Sequence, residues 1–135
     1  MNSLKLGLCS VTFRKKSAAQ VVLIAKKAGI QYIDWGGDIH ITNTDEARII
    51  RSLCDNEDIK ISSYGSYFNS AEFDKKKWEQ VCEIAKAMDA KSIRIWLGKK
   101  NSEDTDEKEY RARKQQRKDI FEHKMLLIDK LCKLL

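Results

Sequence analysis

The feature that most limits this chain is its period. Short apolar runs alternate with longer stretches whose hydrophobic residues fall at helical spacing, one pair about every 30 residues. The runs Leu4–Cys9, Gln31–Trp35, Ile59–Ser63 and Ser92–Leu97 read as strands. Between them, Val21, Val22, Ile24, Ala25 and Ala28 mark one helix, and Ala47, Ile49, Ile50, Leu53 and Cys54 a second. Trp78, Val81, Cys82, Ile84, Ala85 and Met88 mark a third. Ser17 is placed to cap the first helix and Gly29 to close it. Thr44 stands where a cap for the second is needed, with Asp45 and Glu46 favourable in its first turn.

A β-α-β-α-β-α-β-α order predicts a parallel sheet with right-handed crossovers. The expected class is α/β, of the (β/α)8 TIM-barrel type. A complete barrel needs about 250 residues, so 135 residues make four β/α units, a half-barrel. Residues 1–135 are read as one partial domain, ending in a long helix from about 107 to 135. A doubly wound open sheet is the competing architecture. Against it, no GxGxxG follows the first strand and no Walker A motif occurs. The last helix carries an apolar stripe, Phe121, Met125, Ile128, Leu131 and Leu135, widened by Leu126, Leu127, Cys132 and Leu134. That stripe predicts burial against the chain's own sheet, a second copy, or a missing C-terminal half.

Composition narrows the rest. With 42% hydrophobic and 34% charged residues the chain can build a core, which argues against wholesale disorder. The net charge is +6, much of it in lysine runs such as Lys75–Lys77 and Lys99-Lys100. Both signs interleave and no stripe joins arginines to aromatics, so a solvated surface is expected, not a nucleic-acid face. Cysteines at 9, 54, 82 and 132 form no CxxC and stand near no histidine in zinc-site spacing. The opening residues lack a signal peptide's apolar stretch, and no run reaches the ~18 residues that span a membrane. The expectation is a cytoplasmic protein with reduced thiols and no membrane contact.

In a parallel α/β fold the loops after the strands carry function. Here they read Ser10-Val11-Thr12-Phe13-Arg14, then Trp35-Gly36-Gly37-Asp38-Ile39-His40, then Ser63-Tyr64-Gly65-Ser66-Tyr67-Phe68, with the fourth after Arg94-Ile95-Trp96-Leu97-Gly98. Aromatic rings, hydroxyls, a carboxylate, an imidazole and two arginines suit a polyhydroxylated ligand, with rings over C–H faces and polar groups on hydroxyls.

The segments CSVTFR, IDWGGDIH, SSYGSYF and IRIWLG, in this order, resemble a branch of the sugar-phosphate isomerase/epimerase superfamily, whose barrel is xylose-isomerase-like. The resemblance runs from about Leu4 to Ile120, and departs from the branch at Asp34, where Glu is common. It implies a divalent metal (Mn2+, Mg2+ or Co2+) that binds adjacent oxygens of a sugar while carboxylates move a proton next to the carbonyl. In relatives the ligands come mainly from strands five to eight, so this chain alone is expected to be inactive. Among the loop residues, Thr12, Phe13, Arg14, Trp35, Asp38, His40, Tyr64, Tyr67 and Trp96 are read as substrate contacts.

Each of these has a plainer reading. His40 can ligate a metal, contact substrate, or serve as a hydrogen-bonded loop residue. Asp38 can orient His40, bind hydroxyls, or be a turn residue after Gly36-Gly37. Tyr64 and Tyr67 suit stacking on a sugar and packing equally. Arg14 suits a phosphate or open solvent. Trp96 and Arg94 share a strand face opposite Ile93 and Ile95, Trp96 read as functional and Arg94 as structurally paired. Cys9 reads as core. The main expectation is a sugar or sugar-phosphate isomerase/epimerase domain acting by metal-assisted proton transfer. The alternatives are an inactive sugar-binding or assembly half-barrel and, third, an apurinic-endonuclease-like enzyme.

Overall fold

The computed structural model describes residues 5–96, 98, 106–108, 111, 112 and 115. Strand β1 is Gly7–Cys9, helix α1 Ala18–Lys27, β2 Tyr32–Gly36, α2 Thr44–Asn56, β3 Lys60–Asn69, α3 Lys75–Ala87 and β4 Ile93–Trp96. Short 3-10 turns at Ser10–Phe13 and Ser70–Glu72 follow β1 and β3. The four strands are parallel, in the order β1-β2-β3-β4. Contacts group the chain into two units: one holds the residues up to Phe68 with Lys76–Arg94, the other Asn69–Lys75 with those from Ile95 onward.

The helix ends explain why the period is so regular. Ser17 and Gln20 form a capping box: the Ser17 hydroxyl accepts from the Gln20 amide at 3.3 Å, and the Gln20 side chain accepts from the Ser17 amide at 2.9 Å. At the other end Gly29 is left-handed, φ +67°. Its amide bonds Lys26 O while that of Ile30 bonds Ala25 O, which is a Schellman closure. The same closure recurs after α2 and α3 with aspartate in the glycine's place: Asp58 (φ 52°) and Asp89 (φ 53°). Each aspartate is held by the lysine two residues on, Lys60 at 2.8 Å and Lys91 at 2.9 Å.

Asn43, not Thr44, caps α2; its side chain accepts from the amides of Asp45 and Glu46 at 3.0 and 2.9 Å. Glu46 reaches back to the Thr42 amide at 2.7 Å, and that bond holds its carboxyl below the usual range.

The core of the first unit lies between sheet and helices. Ile33 and Trp35 of β2 are wholly buried, and so are Val21 and Ala25 of α1 and Ala47 and Cys54 of α2. Burying a side chain of Ile33's size contributes about 1.5–3 kcal/mol. Trp35 meets Cys54, whose thiol burial pushes up to about 11, an effect the indole partly offsets. Two of the residues at helical spacing are exposed: Ile49 on α2 and Ala28 at the end of α1.

The largest departure is β3. A strand ending at Ser63 was expected, yet β3 runs to Asn69, so the Ser63–Phe68 segment is strand and not loop. Gly37 donates to Gly65 O at 2.8 Å, which prolongs the ladder past Ser63. A bulge falls early in this ladder, since Ile33 pairs with Ile61 but Asp34 with Ser63. In the second unit, Asn69 caps its 3-10 turn through the Ala71 amide at 3.1 Å. Glu107 pairs with Arg111 at 2.9 Å there. The apolar stripe from Phe121 to Leu135 lies outside the described residues.

Candidate functional site

Strand alternation puts Cys9, Asp34, Ser63 and Arg94 on the sheet face opposite Ile33 and Trp35, one residue from each strand. Asp34 is the hub. One carboxylate oxygen accepts from Ser63 Oγ at 2.6 Å; the other accepts from Cys9 Sγ at 3.0 Å and pairs with Arg94 Nη2 at 3.3 Å. The bulge is what turns Ser63 toward Asp34. Burial, and then the bond to Asp34, push the Cys9 thiol up.

Arg94 occupies space that only a glycine leaves: a Cβ on Gly65 would run into its guanidinium. The guanidinium carbon lies 5.9 Å from the centre of the Tyr67 ring. Tyr67 is itself strained, with φ 57° in the left-handed region, unusual for a bulky residue. Its hydroxyl accepts from Arg14 Nη2 at 3.4 Å. Arg14 also pairs with Asp38 at 2.6 Å, which raises its pKa further. One continuous chain of contacts therefore runs Asp38–Arg14–Tyr67–Arg94–Asp34.

His40 is nearly buried. Its Nε2 lies 3.1 Å from Lys16 O and its Nδ1 3.1 Å from Ser10 Oγ. A carbonyl only accepts, so Nε2 carries the proton and Nδ1 accepts from the Ser10 hydroxyl. Ser10, wholly buried, accepts in turn from the Gly36 amide at 2.9 Å. These bonds tie the turn after β1 to the loop after β2, and so fix the bases of Arg14 and Asp38.

Of the residues read as substrate contacts, Arg14, Asp38 and Tyr67 come together. Thr12 is exposed and Phe13 half-buried in the 3-10 turn leading to Arg14. Two placements need correction. Trp35 is wholly buried, edge-on to His40 with ring centres 5.6 Å apart, and has no surface to offer a ligand. Tyr64 is 3% exposed; its hydroxyl packs at Gly37, and burial raises its pKa. Trp35 shares the face of Ile33 by alternation in β2, and Tyr64, its register partner on β3, lies on the same side. Trp96 is half exposed at the end of β4, in the second unit. Sequence reasoning missed Ser10, Asp34 and Ser63. For Asp34 and Ser63 the signal was polarity at in-register strand positions; Ser10 lies in the 3-10 turn after β1 and had no such signal.

Among the described residues, no group of three or more His, Cys, Asp or Glu is placed to hold a metal ion. Asp34 and His40 bond protein partners through both of their polar atoms, and Asp38 gives one oxygen to Arg14, so these three do not by themselves make the ligand set of the metal that the sequence resemblance implies. No described helix is long and apolar enough to cross a membrane.

The architecture is that of part of a xylose-isomerase-like TIM barrel. Two solved structures carry the likeness. One is the probable 3-DHS dehydratase AsbF of Bacillus anthracis, involved in petrobactin synthesis: TM-score 0.70 and 22% identity, over 87% of this chain and 47% of that one. The other is a xylose isomerase domain containing protein of Salmonella typhimurium: TM-score 0.55 and 11% identity, over 69% and 37%. The chain spans less than half the length of either, and the likeness is one of fold. No family model and no curated protein matches it.

Proposed function

We propose that this chain supplies the substrate-side rim of a sugar or sugar-phosphate isomerase/epimerase, an enzyme that moves a proton next to a carbonyl. The observation that carries the reading is the Arg14–Asp38 pair standing at the Tyr67 hydroxyl. A sugar hydroxyl both donates and accepts, and a guanidinium beside a carboxylate answers both needs at once. The Tyr67 ring, 39% exposed, offers an apolar face to C–H groups. On this reading the divalent metal takes its ligands outside the described residues. Further barrel strands are contributed by a second copy or by a C-terminal half.

One observation favours a second reading, an inactive sugar-binding or assembly half-barrel. Asp34, Asp38 and His40 each bond a protein partner, and none belongs to a metal-ligand group among the described residues. Saturation-transfer NMR of the full chain with D-fructose and D-fructose 6-phosphate tests the shared claim. Transfer to carbon-bound protons of at least one ketose, lost in Tyr67→Ala, is expected. Transfer to neither, or signals that Tyr67→Ala leaves unchanged, overturns it.

A further inference from the structure

The proposed function leaves open whether the ligand carries a phosphate, and the charges at the rim bear on that. Two guanidiniums flank Tyr67, and each already has its own carboxylate, Asp38 for Arg14 and Asp34 for Arg94. The two positive and two negative charges cancel. The carboxylates are also the less exposed partners, 26% against 50% in one pair and 23% against 43% in the other.

A phosphate has two ways to enter such a rim, both unfavourable. It can displace a carboxylate and leave a partly buried charge unpaired. It can instead lie beside both pairs, where repulsion from the aspartates offsets attraction to the arginines. The helix that follows the Asp38 loop offers no alternative. Its first turn carries Asp45 and Glu46, and Asn43 takes the amides of both.

An uncharged pair of neighbouring hydroxyls meets no such conflict. One can donate to Asp38 and accept from Arg14 without breaking their pair, while Tyr67 Oη, 3.4 Å from Arg14, meets the next hydroxyl. Resting on the proposed sugar-binding rim, we infer that it takes the uncharged vicinal hydroxyls of a ketose or aldose and discriminates against a phosphate at that position.

The test is a competition between D-fructose, D-fructose 6-phosphate and inorganic phosphate for the full chain, at ~0.15 M salt, where exposed charges are screened beyond ~8 Å. Fructose is expected to bind more tightly than its ester by about tenfold, roughly what one charge-assisted hydrogen bond is worth. Asp38→Asn frees Arg14 and should reverse that order. Arg14→Gln, a second variant, should weaken fructose and leave the ester no tighter. Tighter binding of the ester or of phosphate by the unmodified chain overturns the inference while the sugar-binding rim stands. An ester strengthened in Arg14→Gln does the same. Binding of none of the three probes removes both.

Discussion

Gly37, in the turn just past β2, donates to Gly65 on β3, yet a methyl group at each meets different things. At Gly37 it would lie 2.7 Å from Tyr64 Oη and 2.9 Å from the Gly65 carbonyl oxygen, part of a backbone that cannot yield cheaply. At Gly65 it meets the far end of Arg94, which can swing away. Gly37→Ala is therefore expected to cost about 1–3 kcal/mol in urea unfolding. Gly65→Ala should cost well under half as much while weakening fructose binding, because Arg94 leaves Tyr67 and Asp34. Equal losses of stability would contradict this. Cys54 gives a pH dependence. Its pKa rises from 9.0 to about 11 because burial disfavours the thiolate, so its contribution is complete below pH 9 and is lost as pH climbs toward 11. The fall is at most about 1.4 kcal/mol per pH unit. Stability of the unmodified chain relative to Cys54→Ala should decline over that window; a constant difference would refute the assignment. Residues were the least legible scale in the sequence. Tyr64 and Tyr67 are three apart in one strand, one buried and one at the rim, and only the continuation of β3 separates them. Asp34 went unread as the hub because its partners come from three other strands.

At the scale of elements, one closure is used three times, and only its first instance announces itself by a glycine. Gly29 was legible as a helix stop; Asp58 and Asp89 were not, because aspartate is an uncommon left-handed residue that a following lysine here supports. Exposed ion pairs of this kind are worth little. Asp58→Gly and Asp89→Gly should therefore each raise stability, by up to about 1 kcal/mol, and Gly29→Ala should lower it by about 1 kcal/mol. Thermal melts of the three variants check the signs; destabilisation in both aspartate variants would show that the ion pairs outweigh the strain. Hydrophobic period revealed which elements exist and their order, since helical and strand spacing differ at every step. It misjudged where β3 ends, because Ser-Tyr-Gly-Ser-Tyr-Phe has the composition of a binding loop and the hydrogen bonds of a strand.

At the scale of the molecule, the parallel half of a barrel follows from the four-unit period, and the polar face across Cys9, Asp34, Ser63 and Arg94 gives it chemistry. The apolar stripe toward Leu135 is a sequence pattern, and we propose that it drives association. Burial of each leucine-sized side chain is worth about 1.5–3 kcal/mol. Replacing Ile128 and Leu131 with Glu should shift the chain to monomer and lower its melting temperature together. Sedimentation showing the unmodified chain as a stable monomer at micromolar concentration would end that idea. The central claim, a sugar-binding rim built from the ends of β1, β2 and β3, is tested most directly by amide chemical-shift mapping of the full chain during titration with D-fructose. The account predicts saturable shifts clustered at Arg14, Asp38 and Tyr67, with α1 and α2 unmoved beyond their first turns. Shifts absent from those three residues, or concentrated on the helices, would contradict it.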